Sequence, residues 1–282
     1  MSKISCGVIH RDMLTRPCSS RACQPSQGGD RRADPRYTRR HSVSPDPSRA
    51  PPVKSAVIVF PGSNCDRDVA VSLEQTTGRP PVMHWHGDPD LPADLDLIVV
   101  PGGFSYGDYL RCGAMAAHAA AMTGVRKAAE RGVAVLGICN GFQVLCEAGL
   151  LPGALIRNRD LRFVCKDVHL RVETTDTIFT GHYAPGQVIR IPIAHHDGNY
   201  VADLPTQCML EDEDRIAFRY CDPGGKTTDA ANPNGSLDHI AGILSEERTV
   251  LGLMPHPERL ADPRLGGTDG RPLFASLLEA LS

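Results

Sequence analysis

The sequence predicts an α/β protein: an open, mostly parallel sheet flanked by helices, with extra strands in the C-terminal half. Three observations carry that expectation. Short apolar segments alternate with helical stretches from residue 54 onward, the pattern of strand–helix–strand units in a parallel sheet. Lys54–Phe60 reads as a strand apolar on both faces, as a central parallel strand should be, Val133–Leu136 as a buried strand and Asp96–Val100 as another strand. Beyond Leu151, short alternating runs are separated by Gly, Pro, Asn and Asp, which predicts further strands joined by longer loops.

The elements follow in order. After the first strand, Pro61-Gly62-Ser63-Asn64 is a turn, and Asn64 is placed to cap a helix from about Cys65 to Thr77. A short strand near Val82–Trp85 comes next, then Asp96–Val100, ending in Pro101-Gly102-Gly103. An alanine-rich helix is expected over about Leu110–Arg131, then the strand Val133–Leu136 and a helix over Phe142–Gly149 closed by its glycine. Val164–Val172, Gln187–Ile193, Ile216–Cys221, Ile240–Leu244 and Val250–Met254 are the later strands, and Arg271–Leu281 is the last helix.

Residues 1–53 stand apart from the domain at 54–282. Up to residue 52 they are rich in Arg, Ser and Pro and contain no Glu. Such a segment buries too little surface to offset its ordering entropy and is expected to be disordered. Its prolines argue against an amphipathic transit helix, and no apolar core of a secretory signal is present. Cys6, His10, Cys18 and Cys23 match no standard zinc spacing.

Composition narrows the class. A net charge of −3 over 282 residues gives no general attraction for nucleic acid or anionic membrane, and no apolar run is long enough to span a bilayer. Ten irregularly spaced cysteines in a chain of this length read as free thiols in a reducing cytoplasm.

Gly137-Ile138-Cys139-Asn140-Gly141 has the form of a nucleophile elbow between strand and helix. The sharp turn strains the central residue and excludes a Cβ on either flank. The thiol is expected to stand exposed above the sheet edge, where the following helix N-terminus favours a thiolate. A cysteine nucleophile needs a base, and the base an orienting group. His256 can be that base and Glu258 the orienter, because an extended Pro255-His256-Pro257-Glu258 segment puts both side chains on one side. Gly103 and Asn140 can aim backbone N–H groups at a carbonyl held over the sulfur, an oxyanion hole worth roughly 3–4 kcal/mol per donor. All lie beyond strand ends, where open parallel sheets carry their sites. The assembly suits acyl transfer through a thioester, with hydrolysis of an amide or ester.

Other residues compete. Cys65 also sits at a strand-to-helix turn, but Asp66 and Asp68 disfavour a thiolate there. Cys112, Cys146, Cys165 and Cys221 read as packing positions. His195-His196-Asp197 lacks a third metal ligand at a recognisable spacing and reads as a loop that contacts ligand or partner; no metal site is assigned.

These motifs resemble the class I glutamine amidotransferases, a flavodoxin-like family. Within it, Phe60-Pro61-Gly62-Ser63-Asn64-Cys65-Asp66, the run from Gly102 to Arg111, Asn232-Pro233-Asn234-Gly235-Ser236 and Met254–Arg259 resemble the glutaminase subunits of phosphoribosylformylglycinamidine synthases. The resemblance implies that Cys139, His256 and Glu258 form a triad and that Gly103 and Asn140 build the oxyanion hole. Gly102 and Gln143 would contact the substrate, glutamine. It implies ammonia transfer to a separate synthetase subunit, which converts formylglycinamide ribonucleotide to the amidine in purine biosynthesis, with a small bridging subunit between them. ATP and magnesium would belong to the synthetase, and this chain would hold no cofactor. The family usually has His-Gly-Glu-Gly where this chain has His195-His196-Asp197-Gly198, and often an Asn within the segment occupied here by Ser245–Thr249. Family members begin near the position of Val53, so residues 1–52 are expected to precede the native start. The alternatives are an amidotransferase serving another synthetase, a free-standing cysteine hydrolase, and a regulatory binding module on the same fold.

Overall fold

The computed structural model of the chain describes residues 53–282. The expectations about residues 1–52, the disordered tail and the Cys6–Cys23 cluster, lie outside the described residues.

The first half runs β1 (Ser55–Val59), α1 (Asp66–Thr77), β2 (Val82–Trp85), β3 (Leu97–Val100), α2 (Ala114–Ala117), α3 (Ala120–Glu130), β4 (Ala134–Ile138) and α4 (Asn140–Glu147). The second half adds β5 (Ala154–Ile156), β6 (Val164–Val172), β7 (Val188–His195), β8 (Asn199–Val201), α5 (Leu204–Asp212), β9 (Ile216–Cys221), β10 (Ile240–Leu244), β11 (Val250–Leu253) and α6 (Arg271–Leu281). Nine strands form one sheet in the order β2-β1-β3-β4-β11-β10-β9-β6-β7, and β5 pairs with β8 separately. The five strands from β2 to β11 are parallel, and the remaining pairings are antiparallel. The expected parallel sheet is therefore present, and the C-terminal strands extend its far edge.

The hydrophobic pattern accounts for this layout. β3 and β4 are buried along their whole length, so both of their faces are covered. β7 alternates buried and half-buried residues, as an antiparallel strand with one wet face does. β11 inserts beside β4 with Val250 opposite Val135 and Leu253 opposite Ile138. Two parallel strands then end side by side, one leading to Cys139 and the other to His256.

Three local expectations need correction. The helix expected over Leu110–Arg131 is two helices, with Ala119 extended at φ −62°, ψ 150° between them. The backbone groups released at the break find partners elsewhere: Arg126 Nη2 donates to the Ala117 carbonyl and the Ala121 N–H to the His86 carbonyl. Tertiary contacts thus override a strong local helix propensity. Asn64 does not cap α1. Cys65 occupies that position without a side-chain cap, and Asn64 Oδ1 instead accepts from the Cys65 thiol at 3.3 Å. Helix α5 was not expected. It buries only Leu210, which leaves little apolar periodicity to read, although Asp203 caps it by accepting from the Thr206 N–H at 3.0 Å. No helix among the described residues is long and apolar enough to cross a membrane.

The elbow glycines are required by close approach. A Cβ on Gly141 would lie 1.9 Å from the Val100 carbonyl oxygen, and one on Gly137 would lie 2.9 Å from the Gly141 backbone. Gly141→Ala is expected to lower folding stability by about 2–3 kcal/mol. Urea unfolding followed by circular dichroism measures it, and an unchanged midpoint would show that β3 and α4 can separate at no cost.

Candidate active site

The site is built where β3, β4 and β11 end. Cys139 follows β4 directly and adopts φ 52°, ψ −107°, a strained conformation for a residue with a side chain. It is fixed from both directions. Its N–H donates to the Leu253 carbonyl of β11 at 2.7 Å, and its carbonyl accepts from the Phe142 and Gln143 N–H groups that open α4. The thiol is buried, with 4% of the residue exposed, contrary to the expectation that it stands free above the sheet. The end of β7 covers it, and the thiol donates to the Ala194 carbonyl at 3.7 Å.

His256 and Glu258 are both buried, and His256 Nδ1 lies 2.6 Å from Glu258 Oε1. The expected pair is present, but its backbone is not extended. Pro257 opens a 3-10 turn over Pro257–Leu260, and the turn brings the two side chains together. The His256 N–H donates to the Pro192 carbonyl at 2.9 Å, which ties the segment to β7. With Nδ1 engaged by the carboxylate, Nε2 remains buried and without a hydrogen-bond partner. Burial alone would lower the imidazole pKa. The Glu258 carboxylate beside it, with the neighbouring Cys139 sulfur, outweighs that effect and raises the value to about 10. Gly102 makes room for the pair: a Cβ there would lie 2.8 Å from His256 Cε1 and 3.4 Å from Cys139 Cβ.

Gly103 holds φ +125°, and a Cβ on it would lie 2.6 Å from the Asn64 nitrogen. Asn140 is the first residue of α4, so its N–H has no carbonyl of its own helix to reach. Its buried side chain binds the loop after Gly103. Oδ1 accepts from the Ser105 N–H at 3.1 Å, and Nδ2 donates to Asp108 at 3.2 Å and to Gln143 Oε1 at 2.8 Å. Gln143 is buried rather than open to a pocket. Its Oε1 is held by Asn140, and its Nε2 donates to the Asp197 carbonyl at 2.5 Å. It braces the 195–198 segment, and in this arrangement both ends of its amide are engaged within the protein.

That segment divides. His195 ends β7 and is buried, with Nδ1 3.1 Å from Asn158 Oδ1. Burial, reinforced by the nearby His256 charge, lowers its pKa to about 4. It is a core histidine and not a surface loop residue. His196 and Asp197, 3.1 Å apart, do face a cleft of about 430 Å³ with Phe104, Asp108, Cys112 and Arg157. Asn158 and Asn234 were not assigned any role from sequence. Asn158 Oδ1 accepts from the Gly198 N–H at 2.9 Å, and Asn234 Nδ2 donates to the Gly198 carbonyl at 2.7 Å, so together they clamp the segment. Asn234 lies in the Asn-Pro-Asn-Gly-Ser run, which was the signal available.

Of the rival cysteines, Cys146 and Cys221 are buried packing residues as expected, whereas Cys112 lies in the turn before α2 and lines the cleft, and Cys165 is exposed on β6. Cys65 packs beside the triad. Ligand atoms of Cys65, His256 and Glu258 all lie within 4.8 Å of one another. Their hydrogen bonds suit a thiol and an imidazole–carboxylate pair better than a metal: Arg259 Nη2 donates to Cys65 Sγ at 3.0 Å, and a cation already sits on that sulfur. Burial pushes the Cys65 thiol up to about 12, against the opposing pull of Arg259.

These charges predict a titration. In imidazole NMR, His256 is expected to titrate near pH 10, and at a lower pH in Glu258→Gln, where the largest raising influence is gone. His195 keeps its neutral form in the folded chain. Its contribution to stability is therefore complete above the ordinary histidine value of 6.5 and is lost as pH falls from there towards about 4. A His256 signal that ignores the Glu258 substitution would contradict the pairing.

Comparison with known proteins agrees with this geometry. Residues 52–265 match the family model of the CobB/CobQ-like glutamine amidotransferase domain. The chain is 61% identical over 230 residues to phosphoribosylformylglycinamidine synthase subunit PurQ of Rhodospirillum rubrum, covering 82% of this chain and all of that one. The corresponding Zymomonas mobilis subunit is 56% identical over the same shares. Among solved structures, a chain in the structure of PurLQS from Thermotoga maritima superposes with a TM-score of 0.71 at 44% identity, over 82% of this chain and 99% of that one. The chain belongs to the glutamine amidotransferase family and, within it, to the PurQ subunits of phosphoribosylformylglycinamidine synthase.

Proposed function

We propose that the chain hydrolyses glutamine to glutamate and ammonia and passes the ammonia to a synthetase subunit that forms the amidine in purine biosynthesis. One observation carries the reading: β11 beside β4 sets a buried histidine–carboxylate pair next to a cysteine on a strained elbow. Cys139 is the nucleophile, His256 the acid and base, and Glu258 the group that orients the imidazole. The Gly103 and Asn140 N–H groups receive the oxyanion.

The steps follow from these roles. The Cys139 sulfur attacks the side-chain amide carbon of glutamine, and its proton resides on His256. As the carbon–nitrogen bond breaks, His256 returns that proton to the departing nitrogen, which leaves as ammonia. Water then enters, gives a proton to His256 and attacks the thioester. Glutamate departs and the thiol is restored. The Asp197–Asp108–Arg157 cleft carries charges of both signs and suits the zwitterionic head of an amino acid. Gly102 lets His256 and Cys139 approach each other, and Gln143 holds Asp197 at the cleft.

The partners are a synthetase subunit and a small bridging subunit, a reading supported by the match to a chain of the PurLQS structure. ATP and magnesium belong to the synthetase. The seven cysteines among the described residues are all free thiols, which supports a reducing cytoplasmic setting.

Glutamate release by the full chain, alone and with its synthetase partner, tests the reading. Cys139→Ala is expected to lose activity by at least about a thousandfold, and the partner to raise the wild-type rate. Equal rates with and without partner would instead identify a free-standing hydrolase, and an inactive, folded wild type in both settings would identify a binding module.

A further inference from the structure

The turn between β1 and α1 packs against the loop that follows β3. Its backbone holds that loop at two points: the Gly62 carbonyl accepts from the Phe104 N–H at 3.2 Å, and the Pro61 carbonyl from the Tyr106 N–H at 2.7 Å. The contact is close. A Cβ on Gly62 would lie 2.4 Å from the Phe104 carbonyl oxygen, and one on Gly103 would lie 2.8 Å from Ser63 Cα. Both backbone bonds lie past the peptide that joins Gly102 to Gly103, so neither fixes how that peptide is turned.

That peptide lies beside the triad, since a Cβ on Gly102 would meet His256 Cε1 at 2.8 Å and Cys139 Cβ at 3.4 Å. Glycine stands on both sides of it, so the torsions that rotate it carry no Cβ to resist the motion. Planarity makes the rotation consequential: the Gly102 carbonyl and the Gly103 N–H point in opposite directions, and a half-turn exchanges them. In one orientation the N–H is open to an oxyanion. In the other a carbonyl oxygen takes its place and repels the developing negative charge. One side chain decides between them. Ser63 Oγ donates to the Gly102 carbonyl at 2.8 Å, and among the described residues nothing else donates to that oxygen. The bond draws the carbonyl towards the Pro61–Asn64 turn and so turns the Gly103 N–H away from it. Among the described residues that N–H has no acceptor.

We propose that Ser63 is a positioning residue for glutamine hydrolysis: its hydroxyl holds the Gly102–Gly103 peptide in the orientation that presents the Gly103 N–H to the oxyanion. The proposal rests on the glutaminase reading above. Ser63 acts through the peptide and not on the substrate. Its effect is felt only when negative charge develops on the carbonyl oxygen, so it belongs to kcat and not to KM. The two backbone bonds at Phe104 and Tyr106 do not involve the hydroxyl, and they keep the loop in place without it.

The test measures glutamate release by the full chain in complex with its synthetase partner, with Ser63→Ala and, as the rescue, Ser63→Thr. Ser63→Ala is expected to lower kcat about tenfold or more, short of the roughly hundred- to thousandfold loss of a whole oxyanion donor, and to leave KM within about twofold. Ser63→Thr keeps the hydroxyl and is expected within about threefold of wild type. Alkylation of Cys139 by iodoacetamide, followed by mass spectrometry of its peptide, displaces iodide at a saturated carbon and develops no oxyanion. Its rate should be the same in all three proteins. Wild-type kcat in Ser63→Ala would overturn the proposal, and so would a threonine variant as slow as the alanine one. An alkylation rate that falls in step with kcat would overturn it too, because the triad itself would then be disturbed. A raised KM at unchanged kcat would make Ser63 a substrate contact instead. If Ser63→Ala does not fold, Ser63→Cys, which keeps the side chain's shape but donates weakly, takes its place under the same criteria. A wild-type complex that releases no glutamate would refute the glutaminase reading, an outcome separate from all of these.

Discussion

The parallel pairing of β11 with β4 is the constraint on which the site depends. Cys139 and His256 are far apart in sequence, and the sheet joins them through the register that sets Leu253 beside Ile138. The same pairing closes the elbow from behind, because the Leu253 carbonyl accepts the Cys139 N–H. β11 is also the last parallel strand, and β10 on its other side is antiparallel. The join between the two halves of the sheet and the chemistry therefore share one strand. A change that shifts its register by one residue would turn every side chain to the opposite face and separate the histidine from the thiol.

Strain at the elbow is held by close backbone contacts. A non-glycine residue in the conformation of Cys139 costs on the order of 1–3 kcal/mol. It persists because α4 and β3 pack so closely that Gly141 admits no side chain against Val100. Around this point, side-chain amides take over where regular hydrogen bonding ends. Asn140 holds the 105–108 loop, and Gln143, Asn158 and Asn234 hold the 195–198 segment. Irregular segments converging on one buried cysteine need such partners, since each unpaired buried amide would be costly.

Much of this was legible in the residues. The ends of β6, β9, β10 and α6 follow their apolar patterns, and Cys139, His256 and Glu258 are marked by glycines and prolines that few other structures require. What was hidden depends on long-range contact. The alanine-rich stretch reads as one helix, and it is divided where Arg126 of its second half folds back on the Ala117 carbonyl and the distant His86 carbonyl takes the Ala121 N–H. The burial of Cys139 is set by the end of β7, and no local pattern encodes that. The family resemblance places Gln143 at the substrate pocket, yet its bonds to Asn140 and Asp197 appear only when α4 and the 195–198 segment meet. Helix α5 buries one residue and so leaves almost no periodic signal.

The two cysteines at the centre show how environment chooses a nucleophile. Cys65 and Cys139 both flank Gly102, since a Cβ there would meet the Cys65 sulfur at 3.2 Å and the Cys139 Cβ at 3.4 Å. Both follow a strand and precede a helix, and both are buried. Cys65 begins α1, where Asp66 and Asp68 place negative charge in the first turn and offset the helix dipole. Its thiol donates to Asn64 and accepts from Arg259, so its hydrogen-bonding capacity is filled. Cys139 precedes a helix with no acidic residue in its first turn and faces a histidine whose positive charge is sustained by Glu258. The same side chain, in neighbouring positions, is held as a neutral thiol in one place and set beside a histidine that can hold its proton in the other. The difference comes from the charges around each sulfur: Arg259 sits on Cys65, and Glu258, next to it in sequence, holds the histidine that faces Cys139.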